Sequence, residues 1–293
     1  MACIAGWENL LLASAVSALL LAVVSFIDDL NSISPGLRFS CHAIAALSTL
    51  YFFEKPKVEL GLLNTANWPV PAALVMPVLF LWITGYTNAF NFMDGLNGLA
   101  AGQAVVTSVG SALIAGVASG NWNSPPVLAC FVVAGTASGF LPHNFPRARM
   151  FMGDVSSAPL GYLLAVLAIW IAAEHGWWLV VPLVLLHTNF VLDTAITLIR
   201  RILNGRCWHA AHREHFYQRL NRAGRSHAFV TGCEMALQVV GLLLLLAYVG
   251  AEAPARLGLV AAIIGIWLSF FVFCEGQFQH ALKNRVEGTP AAT

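Results

Sequence analysis

Residues 88–100 read NAFNFMDGLNGLA, closing one apolar run, Pro69–Phe90, and opening another, Gly98–Ser119. The thirteen residues hold three asparagines, one aspartate and two glycines, with no lysine or arginine. Carboxamides and a carboxylate between two apolar segments are costly unless they face a cavity, a metal or each other. The stretch therefore reads as the junction of two membrane helices with a polar site at its turn.

The chain around it fits that reading. Of 293 residues, 58% are hydrophobic and only 10% charged, and the mean hydropathy is +0.74. A soluble domain carries about 25% charged residues, so an all-α, polytopic integral membrane bundle is expected. A bilayer span takes roughly 17–25 apolar residues, and nine runs qualify: Asn9–Ile27, Leu37–Phe53, Pro69–Phe90, Gly98–Ser119, Pro125–Pro142, Ser156–Glu174, Trp177–Ile199, Phe229–Gly250 and Arg256–Cys274. About nine transmembrane helices follow, as one domain over 1–275 with a short tail at 276–293. The first run lacks a basic lead-in and a small-residue cleavage site, so no secretory signal is read there. Six cysteines without paired spacing read as small core residues. Nothing in the charge pattern points to nucleic acid.

Alternating spans put twelve of the fifteen Lys and Arg on one face, among them Arg38, Arg147, Arg149, Arg200, Arg219 and Arg285. By the positive-inside rule that face is cytoplasmic. Trp7, Trp68, Trp122, Trp177 and Trp178 sit at the opposite ends of spans, as an interfacial belt would. All five aspartates fall at or near cytoplasmic ends. Asp28, Asp29 and Asp94 follow helix C-termini, where the macrodipole disfavours an anion by about 0.3–1 kcal/mol each. A bound cation would explain that placement.

Several groupings stand out, each with a plainer alternative. Asp28-Asp29 is either a solvated helix end or a Mg²⁺ or proton site, since adjacent carboxylates raise one partner's proton affinity. Asn91, Asp94 and Asn97 lie along one side if the segment is helical, or in a turn permitted by Gly95 and Gly98; interhelical hydrogen bonding is the alternative to a site. His143-Asn144 and Phe151–Asp154 bracket a short basic loop, and Asp154 or Ser156 could simply cap the next helix. The segment WHAAHREHFYQRL carries His209, His212, His215 and Arg219. The last three share one face of a helix, a pattern suited to a phosphate or to lipid headgroups. Asp193 lies inside a span and requires a partner or cavity. His42 and His187 read as packing residues. An acidic pocket at membrane depth with a basic rim is the equipment of phosphoryl transfer on a lipid substrate.

The motifs FIDDL, NAFNFMDGLNGLA, FMGDVSS and HREHFYQRL, in this order and with these spans between them, resemble the polyprenyl-phosphate N-acetylhexosamine-1-phosphate transferases. The resemblance runs from about Val24 to Arg222. It implies transfer of a sugar-1-phosphate from a UDP-N-acetylhexosamine to undecaprenyl phosphate at the bacterial inner membrane. UMP is released, the anomeric configuration is retained, and Mg²⁺ is required, with Mn²⁺ as an alternative. Carried over by motif, Asp28 or Asp29 would help deprotonate the lipid phosphate, and Asp94 would serve the reaction centre and share in holding the metal. Asp154 would ligate the metal, Asn144, Asn91 and Asn97 would lie near the nucleotide sugar, and His212, His215 and Arg219 near the diphosphate. A homodimer is compatible with the sequence, which does not specify the oligomeric state. The histidine segment lacks the three adjacent histidines of the peptidoglycan translocase, so it resembles the branch that starts O-antigen or other surface polysaccharides.

Two features depart from the family pattern. Asn97 stands where many members have a second aspartate. The tandem aspartates follow one span rather than two and lack a preceding PxPRGGG-like stretch, which points to an N-terminally truncated reading frame. Besides the peptidoglycan reaction, the alternatives are a cation- or proton-coupled transporter and an inactive remnant. One-sided acids and the lack of an inverted repeat speak against transport.

Overall fold

The computed structural model describes residues 4–53, 58–59, 69–207 and 212–287. Among them, helices account for nearly all regular structure: α1 (Ile4–Leu30), α2 (Pro35–Phe52), α3 (Ala72–Met93), α4 (Leu99–Ser119), α5 (Pro125–Asn144), α6 (Asp154–His175), α7 (Val180–Leu185), α8 (Thr188–Leu203), α9 (Phe216–Arg222), α10 (His227–Gly250) and α11 (Ala253–Glu287). A two-residue antiparallel pair, Val58–Glu59 with Pro69–Val70, lies between α2 and α3. Trp68, Lys55, Lys57 and His209 lie outside the described residues.

Local chemistry sets several helix starts. Ser34 accepts a bond from Leu37 N at 3.3 Å and Pro35 follows as the first helical residue of α2. Ser226 does the same for α10, accepting from Phe229 N at 3.2 Å.

Seven helices are long and apolar enough to cross a membrane, or eight if a bent pair counts as one span. The protein is a multi-pass membrane protein. Two of the nine expected spans differ from expectation. The second is helical where expected, but α2 carries Arg38, Ser40 and His42 and is not apolar enough to count among the seven. The seventh, Trp177–Ile199, is not one rod: it breaks between Leu185 and Thr188 with a 70° bend. Beyond the break, α8 buries Thr188, Asn189, Asp193, Thr194 and Thr197. A helix with that many polar groups on one side must turn that side to protein rather than to lipid.

The centre of the bundle is α4 and α6, whose spans are 72% and 78% buried against 28% for α1 and α11. Lipid tails are as apolar as leucine, so close packing rather than water exclusion holds such helices together. The buried positions of α4 are accordingly small, including Ala100, Ala101, Gly102, Ala104, Ser108, Ala112 and Ala115. Those of α6 mix Ala158, Gly161, Ala165 and Ala168 with Tyr162 and Trp170.

Candidate active site

One end of the bundle gathers the acids. Asp28 and Asp29 occupy the last turn of α1, Asp94 caps the C-terminus of α3, and Asp154 is the first residue of α6. Bringing these ends together requires α1 and α3 to run toward the site and α2 and α6 away from it, an up-and-down arrangement.

Arg38, on the first turn of α2, ties three of these elements. Its guanidinium pairs directly with Asp28 Oδ2 and stands 3.6 Å from Asp154 Oδ2. Asp28 is 5% exposed and also accepts Ile33 N at 2.8 Å, which closes the α1–α2 turn. Asp29 Oδ2 accepts Val155 N at 3.3 Å, so α1 also caps the first turn of α6. Gly153 makes that approach possible. Its φ of +64° with ψ of 167° is a conformation open almost only to glycine, and a Cβ there would come 3.2 Å from Asp29 Oδ2. The capping alternative for Asp154 and Ser156 is not what the structure shows: Gly153 is the N-cap, the capping carboxylate comes from Asp29, and the Asp154 carboxylate faces Arg38.

The helical alternative for Asn91, Asp94 and Asn97 gives way to the turn. Helix α3 ends at Met93, and the chain turns through residues 94–98. Burial, reinforced by the nearby Asp154 charge, pushes the Asp94 carboxyl up to about 7. Asn91 Nδ2 donates to Ser157 Oγ at 2.9 Å, joining α3 to α6. Asn97 donates Nδ2 to Pro146 O at 3.3 Å, and its backbone is bound by His227 and Thr231 of α10. Asn144, buried at the end of α5, engages both ends of its amide: Oδ1 accepts Gly98 N at 2.6 Å and Nδ2 donates to Met150 O at 2.7 Å. It clamps the turn to the loop that leads into Asp154.

The histidine segment also differs from the single helix face expected of it. Helix α9 begins at Phe216, so His215 is its N-cap, His212 lies before it and Arg219 within it. The fold still brings the two imidazoles together, with ring centres 4.9 Å apart. Asp193 finds its partner here. It is fully buried, bonds His215 Nδ1 at 2.9 Å, and accepts Phe216 N at 3.1 Å and Tyr217 N at 3.4 Å. Its charge thus sits on the N-terminus of α9, where the backbone favours an anion. Tyr217 then reaches across to the acid turn and donates to Phe92 O at 3.0 Å. Its hydroxyl lies where a Cβ on Gly95 would be, so only glycine fits in that turn. Arg219 is committed to Glu275 of α11, with Nη1 at 3.0 and 2.7 Å from the two carboxylate oxygens.

Residues 11–172 match the family model described as glycosyl transferase family 4, more than half of the chain. The chain belongs to glycosyl transferase family 4. It is 31% identical over 277 residues to a probable undecaprenyl-phosphate N-acetylglucosaminyl 1-phosphate transferase of Bacillus subtilis (strain 168), covering 90% of this chain and 70% of that one. It is 30% identical over 253 residues to a phospho-N-acetylmuramoyl-pentapeptide-transferase of Synechococcus sp. (strain JA-3-3Ab), 81% of this chain and 72% of the relative. A decaprenyl-phosphate N-acetylglucosaminephosphotransferase of Mycobacterium tuberculosis (strain CDC 1551 / Oshkosh) is 35% identical over 157 residues, 48% of this chain and 39% of the relative. The chain thus spans well under half the length of that mycobacterial relative. The family match ends at Ala172 in α6, before Asp193 and His215, so geometry is what joins that pair to the site.

Sequence reasoning missed Arg38 as a site residue. It was one of many basic residues on its face, and only its position opposite Asp28 and Asp154 sets it apart.

Proposed function

We propose that this family 4 chain transfers N-acetylhexosamine-1-phosphate from a UDP-sugar to undecaprenyl phosphate. The observation that carries the reading is the gathering of Asp28, Asp29, Asp94 and Asp154 at one end of the bundle, with Arg38 between Asp28 and Asp154. An oxygen of the lipid phosphate attacks the sugar-bearing phosphorus of the donor. The bond to the bridging oxygen of the diphosphate breaks, and UMP leaves with that oxygen. The sugar's C1–O bond stays intact, so its configuration is retained.

Among the described residues no three His, Cys, Asp or Glu side chains already converge on a metal position. The donor chemistry nevertheless suits a hard divalent cation: all four acids offer oxygen, and Asp94 is buried beside Asp154 with like charges opposed. Asp94 and Asp154 would hold Mg²⁺, which would neutralise phosphate charge when bound. The protein's own groups do the rest. Arg38 orients Asp28, and among the described residues its buried Nε has no partner, leaving one donor for a phosphate oxygen. The His212 and His215 rings would face the donor diphosphate, with His215 oriented by Asp193. Asn144 and Asn91 position the loops around the sugar nucleotide. The bias of basic residues toward this end supports a site facing the cytoplasm.

The segment HREHFYQRL favours a surface-polysaccharide pathway such as O-antigen synthesis. The peptidoglycan reaction is the second reading, supported by the Synechococcus relative. Both are tested by UMP release from the purified chain with undecaprenyl phosphate, a panel of UDP-N-acetylhexosamines and UDP-N-acetylmuramoyl-pentapeptide, with Mg²⁺ or EDTA. Metal-dependent release with a simple N-acetylhexosamine is expected. Release only with the muramoyl-pentapeptide donor would replace the first reading with the second.

A further inference from the structure

A second polar cluster lies inside the bundle, about one to two helical turns below the acids. Gln103 on α4, Asn189 on α8, and Glu234 and Gln238 on α10 are each no more than 3% exposed. They form one connected chain of bonds. Gln103 Nε2 donates to Thr107 Oγ1 at 3.0 Å and to the Leu186 carbonyl at 3.2 Å. Gln238 Nε2 donates to the same carbonyl. Asn189 Nδ2 donates to Gln103 Oε1 at 2.9 Å and to Glu234 Oε2 at 3.2 Å. Leu186 sits at the 70° break between α7 and α8, where its carbonyl serves the two carboxamides.

The amide donors are engaged, but two acceptors are not. Glu234 Oε1 and Asn189 Oδ1 are buried and have no hydrogen-bond partner among the described residues. Among the described residues no Lys, Arg or His forms an ion pair with Glu234. A carboxylate without a cationic partner is costly at membrane depth, the more so near the Asp193 charge, and two unpartnered oxygens add to the cost. A water molecule would satisfy the oxygens and leave the charge. Because the nearby Asp193 is committed to His215 and the start of α9, a divalent ion would call for more anionic ligands than Glu234 alone. One monovalent cation balances it, and carbonyls at a broken membrane helix are suited to holding such an ion.

We propose that Glu234, Asn189, Gln103 and the Leu186 carbonyl form a binding site for one small monovalent cation of the sodium class. The ion would join α4, α8 and α10 at the break, and so brace the helix that carries Asp193. None of the four residues belongs to the acid cluster, and the proposal does not depend on the reaction assigned to it.

The test is thermal unfolding of the full chain in lipid nanodiscs at fixed pH and ionic strength. Sodium or potassium chloride is titrated against choline chloride. A saturable rise in Tm, on the order of 5 °C, is expected with an alkali ion. The rise should vanish in Glu234→Gln, which keeps the shape and removes the charge. In Asn189→Ser the midpoint of the titration should move to at least roughly tenfold higher ion concentration, a loss of one ligand. If Glu234→Gln does not fold, that shift decides the matter alone. Equal Tm in choline and alkali salts would overturn the site and leave a protonated Glu234 as the explanation. An unaltered ion response in both variants would overturn it as well, by placing the ion elsewhere.

Discussion

His215 and Asp193 lie 22 residues apart in sequence and share a 2.9 Å hydrogen bond where both side chains are buried. The same carboxylate accepts the first backbone N–H groups of α9, so one residue orients the imidazole and anchors the helix that presents it. Asp193→Asn keeps the shape but replaces an acceptor with a donor toward His215. We expect UMP release to fall on the order of 100-fold, as for a catalytic group displaced by an ångström, while the protein remains folded. Asp193→Ala should also unfold more readily by about 3–5 kcal/mol, the cost of breaking a buried pair. Turnover and denaturation measured on both variants check this, and wild-type turnover by Asp193→Asn would refute the orienting role.

Arg38 is the only cation found among the clustered acids of the described residues, bridging Asp28 and Asp154. Arg38→Ala leaves the nearly buried Asp28 without its partner and removes the positive charge between Asp28 and Asp154. Stability should fall by about 1–3 kcal/mol, and turnover on the order of 100-fold, the scale of losing one preorganised donor. Arg38→Lys should recover part of the stability and little of the rate, because an ammonium cannot face two carboxylates and a phosphate at once. Equal rescue of both by lysine would show that only charge matters there.

The one-sided placement of the acids was legible because helix ends can be read from apolar runs, and acids at C-termini contradict the dipole. That an intramembrane Asp193 needs a partner was also legible. Its identity was not, since it depends on how α9 docks. The break at Leu186–His187 was hidden because residues 177–199 read as one apolar run, and polar groups on one helix face do not mark a bend. Gln103, Asn189 and Glu234 stand singly on three helices, so only packing reveals them as a group. The spacing of His212, His215 and Arg219 suggested a shared helix face. Asp193 instead starts the helix at Phe216, after the two histidines.

Asn144 links Gly98 to Met150 with both ends of its amide. Asn144→Ala removes two buried bonds and should cost about 1–3 kcal/mol. Because those bonds place the acid turn against the loop entering Asp154, the rate should fall further than stability predicts. Asn144→Asp can keep the bond to Gly98 N but loses the donor to Met150 O, so it should fall between wild type and alanine in Tm. A ranking with Asn144→Asp below Asn144→Ala would argue that charge at this position, rather than the link, dominates.

His212 supplies a pH dependence of known sign. Burial, then the neighbouring His215 and the Arg201 guanidinium, lower its imidazole from 6.5 to about 4. The folded value lies below the unfolded one, so the unfolded chain takes up this proton first as pH falls. The stability that His212 contributes as a neutral group is therefore fully present above about pH 6.5 and is lost progressively toward pH 4. His212→Gln is neutral throughout and lacks this loss. Between pH 7.5 and 5 the wild-type Tm should fall more steeply than that of the variant, after both are normalised at pH 7.5. Parallel profiles would mean that His212 titrates normally, and a steeper fall in the variant would mean that the protonated imidazole is the form held by the fold.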